Sequence, residues 1–75
     1  MKVLVRAPGH WLFVGKLVSK DSGEIVLQDA ENIRTYSGGL TALCKSRENT
    51  VRDTVGAISL TNGPGVFVVT LPDSW

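Results

Sequence analysis

The residues best suited to bind a ligand lie together in the middle of the chain. Arg34 and Tyr36 are two residues apart, and the glycine-rich segment Ser37-Gly38-Gly39 follows them directly. A guanidinium can pair with a phosphate, a phenol ring can stack on a base, and backbone amides that open a helix can bind an anion. The alternative is that the glycines only turn the chain before a helix. The predicted ligand-binding residues are Arg34, Tyr36, Ser37, Gly38, Gly39 and Thr41.

Few residues in this chain are suited to catalysis. His10 is the single histidine and Cys44 the single cysteine. A nucleophile needs a neighbouring base and a third group to orient that base, and the sequence offers no such set. We expect His10 to be a strand-edge residue that faces solvent or a neighbouring subunit, and Cys44 to be a small core residue. The acidic residues are scattered, so the sequence predicts a protein that is not an enzyme and has no cofactor or metal site.

Length and charge restrict the class of protein. A chain of 75 residues forms one domain, residues 1–75, and its one cysteine excludes an internal disulfide. The net charge of +1 arises from interleaved basic and acidic residues, which disfavours binding to the phosphate backbone of a nucleic acid. The apolar start, Met1 to Val5, is too short for a signal peptide or a membrane span. We therefore expect a cytoplasmic protein that does not contact membranes.

Most of the chain alternates between apolar and polar residues, a pattern typical of β-strands. Asp21-Ser22-Gly23 has the chemistry of a hairpin turn. Gly15 lies in the middle of a long alternating run, where a missing side chain predicts a bend or a bulge. The predicted strand segments are Lys2–Arg6, His10–Lys20, Glu24–Gln28, Asn32–Tyr36, Val51–Leu60 and Val66–Leu71.

One short helix is predicted after the glycine pair, because Leu40, Leu43 and Cys44 have the i, i+3, i+4 spacing of an amphipathic helix. The predicted fold class is all-β, or β-rich α+β: a small, strongly bent antiparallel sheet or barrel of five to six strands with one short helix. The segment Val66–Leu71 is apolar on both faces, and Trp75 follows it closely. Both features predict burial in a barrel or between subunits, and therefore a homo-oligomer.

Several segments together resemble a widespread group of small uncharacterised proteins from tailed phages and prophages. The similarity covers most of the chain, and its most distinctive part extends from Asp29 to Thr41. The resemblance implies a phage origin and a small β fold, but no activity. With a phage origin, the cytoplasm expected above is that of the host cell. The segments that carry it are Val3–Arg6, Gly15–Ser19, Glu24–Leu27 with Asp29-Ala30, Tyr36–Gly39 with Thr41, and Ile58–Thr61.

Two functions from different classes follow from these observations. In the first, the protein is a phage-encoded homo-oligomer whose subunits together form a pocket that sequesters a nucleotide-type small molecule of the host defence. The reason is size, because a chain this short cannot by itself enclose a pocket of the usual volume of about 300–1,000 Å³. In the second, it is a virion component or an inhibitor of a host protein that acts through its strand edges and has no small-molecule ligand.

Overall fold

The computed structural model describes all 75 residues, Met1–Trp75, as one five-stranded sheet with one helix. The strands lie in the order β4-β3-β2-β1-β5, and every neighbouring pair is antiparallel. The predicted small antiparallel fold is confirmed, and the sheet is open rather than closed into a barrel because β4 and β5 each keep a free edge. The elements are β1 (Lys2–Ala7), β2 (Trp11–Lys20), β3 (Glu24–Thr35), α1 (Gly39–Lys45), β4 (Val51–Thr61) and β5 (Phe67–Thr70).

Two tight turns join the first three strands. At the first turn, β1 ends at Ala7 and its Cα partner is Trp11, so Pro8, Gly9 and His10 form the loop. Gly9 and His10 both have left-handed backbone conformations, with φ of 87° and 66°. The prediction that His10 begins the second strand is therefore wrong, because its positive φ is incompatible with an extended strand.

The second turn is the predicted hairpin around Asp21. The Asp21 carboxylate accepts hydrogen bonds from the backbone amides of Gly23 and Glu24, each at 2.8 Å. An aspartate that bonds the backbone two and three residues ahead fixes a turn locally. This turn could therefore be predicted from sequence without knowledge of the rest of the fold.

Both long central strands contain bulges. The register between β2 and β3 shifts between Val14 and Lys16, which places the irregularity at Gly15 as predicted. In β3 the shift lies around Asp29, whose φ is 52°. The prediction of two separate strands at Glu24–Gln28 and Asn32–Tyr36 is wrong, because this single left-handed residue bends the chain without interrupting the strand.

The sheet has an apolar cluster on each face. On one face, α1 contributes Leu43 to a cluster with strand residues and packs Leu40 and Cys44 against it, as the helical spacing predicted. On the other face no helix is present, and side chains of β4 and β5 such as Ile58 and Val68 pack around the buried centre. The buried members of the helix-side cluster are Leu4, Leu12, Val14, Ile33, Leu43, Leu71 and Trp75, and those of the second cluster are Val3, Val5, Ile25, Leu27 and Ala30.

The end of the chain packs on its own subunit. Trp75 is only 2% exposed, and its indole Nε1 donates a hydrogen bond to the backbone oxygen of Leu43 in α1. Of the two environments expected for Trp75, the structure shows burial within its own subunit, in the helix-side cluster. The prediction that the last strand is buried on both faces is confirmed only in part. Val69 packs against the helix-side cluster and Val68 against the second cluster, but Phe67 is 42% exposed.

At seven residues, α1 is far shorter than a helix that could cross a membrane, and the structure contains no other helix.

Candidate functional site

A cleft of about 290 Å³ opens beside the β1–β2 turn. Its walls come from the end of β1, the turn itself, the last part of β3 and the start of α1. Leu12, Ile33 and Leu40 form its apolar floor, and the remaining lining residues are basic or aromatic. The lining residues are Arg6, His10, Leu12, Ile33, Arg34, Tyr36 and Leu40.

Strand pairing explains how distant residues meet in this cleft. Arg6 and Leu12 are partners across the β1–β2 ladder, so they lie next to each other on one face of the sheet. Ile33 of β3 belongs to the same buried cluster as Leu12, and Leu40 of α1 packs against that cluster. The helix therefore forms one side of the opening, and the two buried strand residues form its base.

The lining of the cleft is basic. Two of its lining residues are arginines and none is an aspartate or glutamate. Arg6 takes part in none of the four salt bridges of the chain, and its guanidinium instead lies 5.5 Å from the ring centre of Phe67. A half-buried cation without a neighbouring carboxylate favours an anion in the adjacent space.

Arg34 is held in place by one ion pair. Its Nε lies 3.1 Å from a carboxylate oxygen of Asp53 on β4, and its side chain remains 61% exposed. Because the contact is made by Nε, the two terminal nitrogens can form the bidentate contacts that a phosphate prefers. Asp53 does not line the cleft, so it orients the guanidinium without blocking the opening.

Tyr36 and His10 complete the lining and come from two different segments of the chain. Tyr36 follows the end of β3 and is 41% exposed, so its phenol ring is accessible to a ligand. His10 is exposed and comes from the β1–β2 turn. Each offers a polar atom and a flat ring, the two features that bind phosphorylated aromatic molecules.

The structure brings together only part of the site predicted from sequence. Arg34 and Tyr36 line the cleft, but the glycine-rich segment and Thr41 do not. Gly38 and Gly39 have φ of 82° and 81°, so their positive φ serves to turn the chain into α1. The predicted contribution of Ser37, Gly38, Gly39 and Thr41 to ligand binding stays a prediction.

Sequence reasoning missed Arg6, and it did not assign His10 to the binding site. Arg6 belongs to β1 and Arg34 to β3, two strands that do not pair with each other because β2 lies between them. Their proximity therefore depends on the strand order and on the bend of the sheet. The one local indication is that Arg6 and His10 flank the Pro8-Gly9 turn, where a strand ends and polar side chains commonly collect.

A second group of charges lies beside α1 and is structural. The carboxylate of Glu31 contacts Arg47 at 3.2 Å and Arg52 at 3.6 Å. The Arg47 guanidinium also lies 5.5 Å from the ring centre of Trp75. These contacts join β3, β4, the segment after the helix and the end of the chain, so we assign them to stability rather than to ligand binding.

Cys44 has no features of a nucleophile. It packs against the helix-side cluster, and burial raises the pKa of its thiol above the usual range. A raised pKa lowers the fraction of reactive thiolate at neutral pH. In addition, no group of three or more histidine, cysteine, aspartate or glutamate side chains is arranged to hold a metal ion.

Fold and site together define a small open β-sheet protein with a basic, aromatic-rimmed cleft. Comparison of the chain with protein-family models, with curated proteins and with solved structures finds no match.

Proposed function

We propose that this protein is a phage-encoded binding protein that sequesters a nucleotide-type small molecule of the host, as an anti-defence protein. The single observation that supports the proposal is the lining of the cleft, which contains two arginines and no carboxylate over an apolar floor. In this proposal Arg6 and Arg34 bind the phosphate, and Tyr36 and His10 contact the remainder of the molecule. The phage origin is itself part of this proposal and rests on the resemblance of several segments to small phage proteins.

We also propose that the working form is a homo-oligomer. A cleft of about 290 Å³ is at the lower limit of typical ligand pockets, about 300–1,000 Å³, and several of its walls are exposed. A second subunit placed over the opening would supply the missing wall. Light scattering tests this part of the proposal. A strictly monomeric mass at high micromolar concentration, with and without bound nucleotide, contradicts the shared pocket.

Calorimetric titration with cyclic and linear nucleotides tests the site itself. We expect Arg34→Ala to weaken binding by about 1.5–3 kcal/mol, roughly 10- to 150-fold, because a charge-assisted contact is lost. The thermal midpoint should change little, since Arg34 is largely exposed. Lys45→Ala is the matched control, because it removes one positive charge from an exposed position away from the cleft.

A second variant separates charge from geometry. Asp53→Asn keeps the guanidinium of Arg34 but removes its ion-pair partner. If Arg34 binds a phosphate, this variant should bind nucleotide at least as strongly as the wild type, because one competing anion is gone while the asparagine amide oxygen can still accept a hydrogen bond from Nε and keep the guanidinium oriented. The absence of nucleotide binding by the wild type, or equal binding by wild type and Arg34→Ala, refutes the proposed site.

The free edge of β4 supports a second candidate function, binding to a host protein by strand addition. β4 has 11 residues and forms an outer edge of the sheet. Its charged residues, Arg52 and Asp53, lie near its start, and the segment from Val55 to Thr61 carries no charge. Long uncharged edges are where a partner strand can pair, because their backbone amides and carbonyls are unpaired.

Mass spectrometry of protein purified from infected cells distinguishes the two candidates. A phosphorylated small molecule in near-stoichiometric amount supports sequestration, whereas an empty protein with a co-purifying host polypeptide supports strand addition. For strand addition, Ala57→Lys should reduce the amount of co-purified polypeptide, because it adds a charge to the exposed part of β4. The same variant should leave nucleotide binding unchanged.

A further inference from the structure

A second cleft, of about 210 Å³, adjoins the first at the β1–β2 turn. The two clefts share His10, Ile33 and Arg34, so they are two parts of one surface on either side of a common wall. Gly9, Trp11 and Asn32 line only the second cleft. Arg34 can therefore contact a ligand whose other end lies beside Trp11.

The indole of Trp11 is an exposed but well-supported ring. Trp11 is 53% exposed, and its ring is parallel to that of Phe13, with an interplanar angle of 6° and a centroid distance of 5.9 Å. Phe13 is itself half-buried and packs against the second core cluster. Within the subunit, Trp11 therefore presents a supported ring to solvent and does not belong to the core.

The β1–β2 turn contacts the pyrrole part of the indole through Gly9. A Cβ atom placed on Gly9 would lie 3.3 Å from Cδ1 and 3.5 Å from Nε1 of Trp11, so the backbone of Gly9 is in close contact with the ring. The φ of 87° at Gly9 is one that glycine adopts readily. His10, the next residue, also has a positive φ of 66°, which is uncommon for a residue with a side chain and occurs often at binding sites.

Asn32 places an amide group at the same cleft. It is the Cα partner of Phe13 across the β2–β3 ladder, so its side chain and the aromatic pair lie on one face of the sheet. An amide offers both a donor and an acceptor, the combination that pairs with the edge of a nucleobase. A flat ring, an amide and a nearby guanidinium match the ring, the edge and the phosphate of a nucleotide.

We propose that the cleft beside Trp11 is the base-binding subsite, where the heteroaromatic ring of the ligand stacks on Trp11 and its edge bonds to Asn32. The phosphate then lies across His10, against Arg34, the one arginine that lines both clefts. This inference rests on the proposed function and narrows its ligand class to molecules with both a phosphate and a planar heteroaromatic ring. Sugar phosphates, which lack the ring, occupy only the basic cleft.

Comparison of nucleoside monophosphates with ribose 5-phosphate tests this subsite. Stacking of a base on an aromatic side chain is worth about 1–3 kcal/mol, so the best nucleoside monophosphate should bind about 5- to 150-fold more tightly than ribose 5-phosphate. Trp11→Leu should remove this advantage and leave the affinity for ribose 5-phosphate unchanged. Trp11→Phe should retain part of it, because a ring remains.

Tryptophan fluorescence gives an independent measurement. The chain has two tryptophans, and Trp75 is buried and hydrogen-bonded, so a bound base should quench only Trp11. In Trp11→Leu the nucleotide-dependent quenching should disappear while the emission of Trp75 persists, which also shows that the variant is folded.

The outcomes distinguish this inference from the proposed function. If the wild type binds neither ribose 5-phosphate nor any nucleotide, the proposed function is wrong. If ribose 5-phosphate and the nucleotides bind with equal affinity, and Trp11→Leu changes neither affinity, the basic cleft binds the phosphate and the proposed base-binding subsite is wrong. Arg34→Ala should weaken both kinds of ligand by the same factor, because it removes the phosphate contact that they share.

Discussion

Gly15 provides the sharpest test of how the sheet is bent. It lies at the bulge where the β2–β3 register shifts, and it is buried. A Cβ atom at this position would lie 3.1 Å from both the Cα of Ala30 and the carbonyl oxygen of Gln28, and 3.3 Å from the Cβ of Ala30. Favourable contacts between carbon atoms are about 3.5–4.0 Å long. The two strands must therefore move apart locally to admit any side chain.

The expected cost follows from these contacts. Two of the three close atoms belong to the backbone of β3, which cannot rotate away as a side chain can. Overpacking of this kind costs about 1–3 kcal/mol. We expect the cost of Gly15→Ala to lie near the lower end of this range and that of Gly15→Val near the upper end, because valine adds two further methyl groups. For a domain of this size each kcal/mol corresponds to about 4–8 °C in thermal midpoint.

Urea unfolding at a fixed protein concentration measures this difference. Gly63→Ala is the matched control, because a Cβ atom there meets nothing within 4 Å and the residue has no positive φ. Replacing glycine by alanine reduces the entropy of the unfolded chain equally at both sites, so the difference between the two variants isolates packing. If Gly15→Ala and Gly63→Ala have the same free energy of unfolding, β2 and β3 do not approach each other closely at the bulge.

Two further predictions concern the helix-side cluster. Trp75→Ala should lower the free energy of unfolding by about 3–5 kcal/mol, because it empties a buried site. Trp75→Phe should lower it less, since a ring remains. Denaturant titration measures both, and a change below about 1 kcal/mol for Trp75→Ala would place this side chain outside the core. Burial raises the pKa of Cys44 in the folded state, so its contribution to stability is present below the unfolded pKa of the thiol and is lost as pH rises through the folded pKa. Unfolding under reducing conditions at pH 7 and pH 10 should show a larger loss of stability for the wild type than for Cys44→Ala, and equal losses would contradict this.

The sequence by itself determined the local structure of this protein. Asp21 and Gly23 specify a hairpin through bonds within a few residues, and Leu40, Leu43 and Cys44 specify one face of a short helix. Gly15 marks a bulge because a missing side chain is visible in the sequence. These features depend on neighbours along the chain, so residue type and spacing were enough to predict them.

The continuity of β3 was not predictable in the same way. Asp29 is polar and follows an apolar run, which is also the pattern of a strand end. The residues on either side of Asp29 pair with β2 and β4 and so carry β3 past the bulge, and those partners are distant in sequence. The burial of Trp75 has the same origin, because its hydrogen-bond acceptor is the backbone of Leu43.

Only the tertiary structure decided the composition of the candidate site. The alternating pattern placed Arg34 and Tyr36 outside the core, and both line the cleft. Arg6 and His10 join them because the strand order places β2 between β1 and β3 and the sheet bends at its bulges. Strand order and curvature arise from contacts across the whole sheet. Side chains far apart in the sequence therefore became neighbours only when the chain folded.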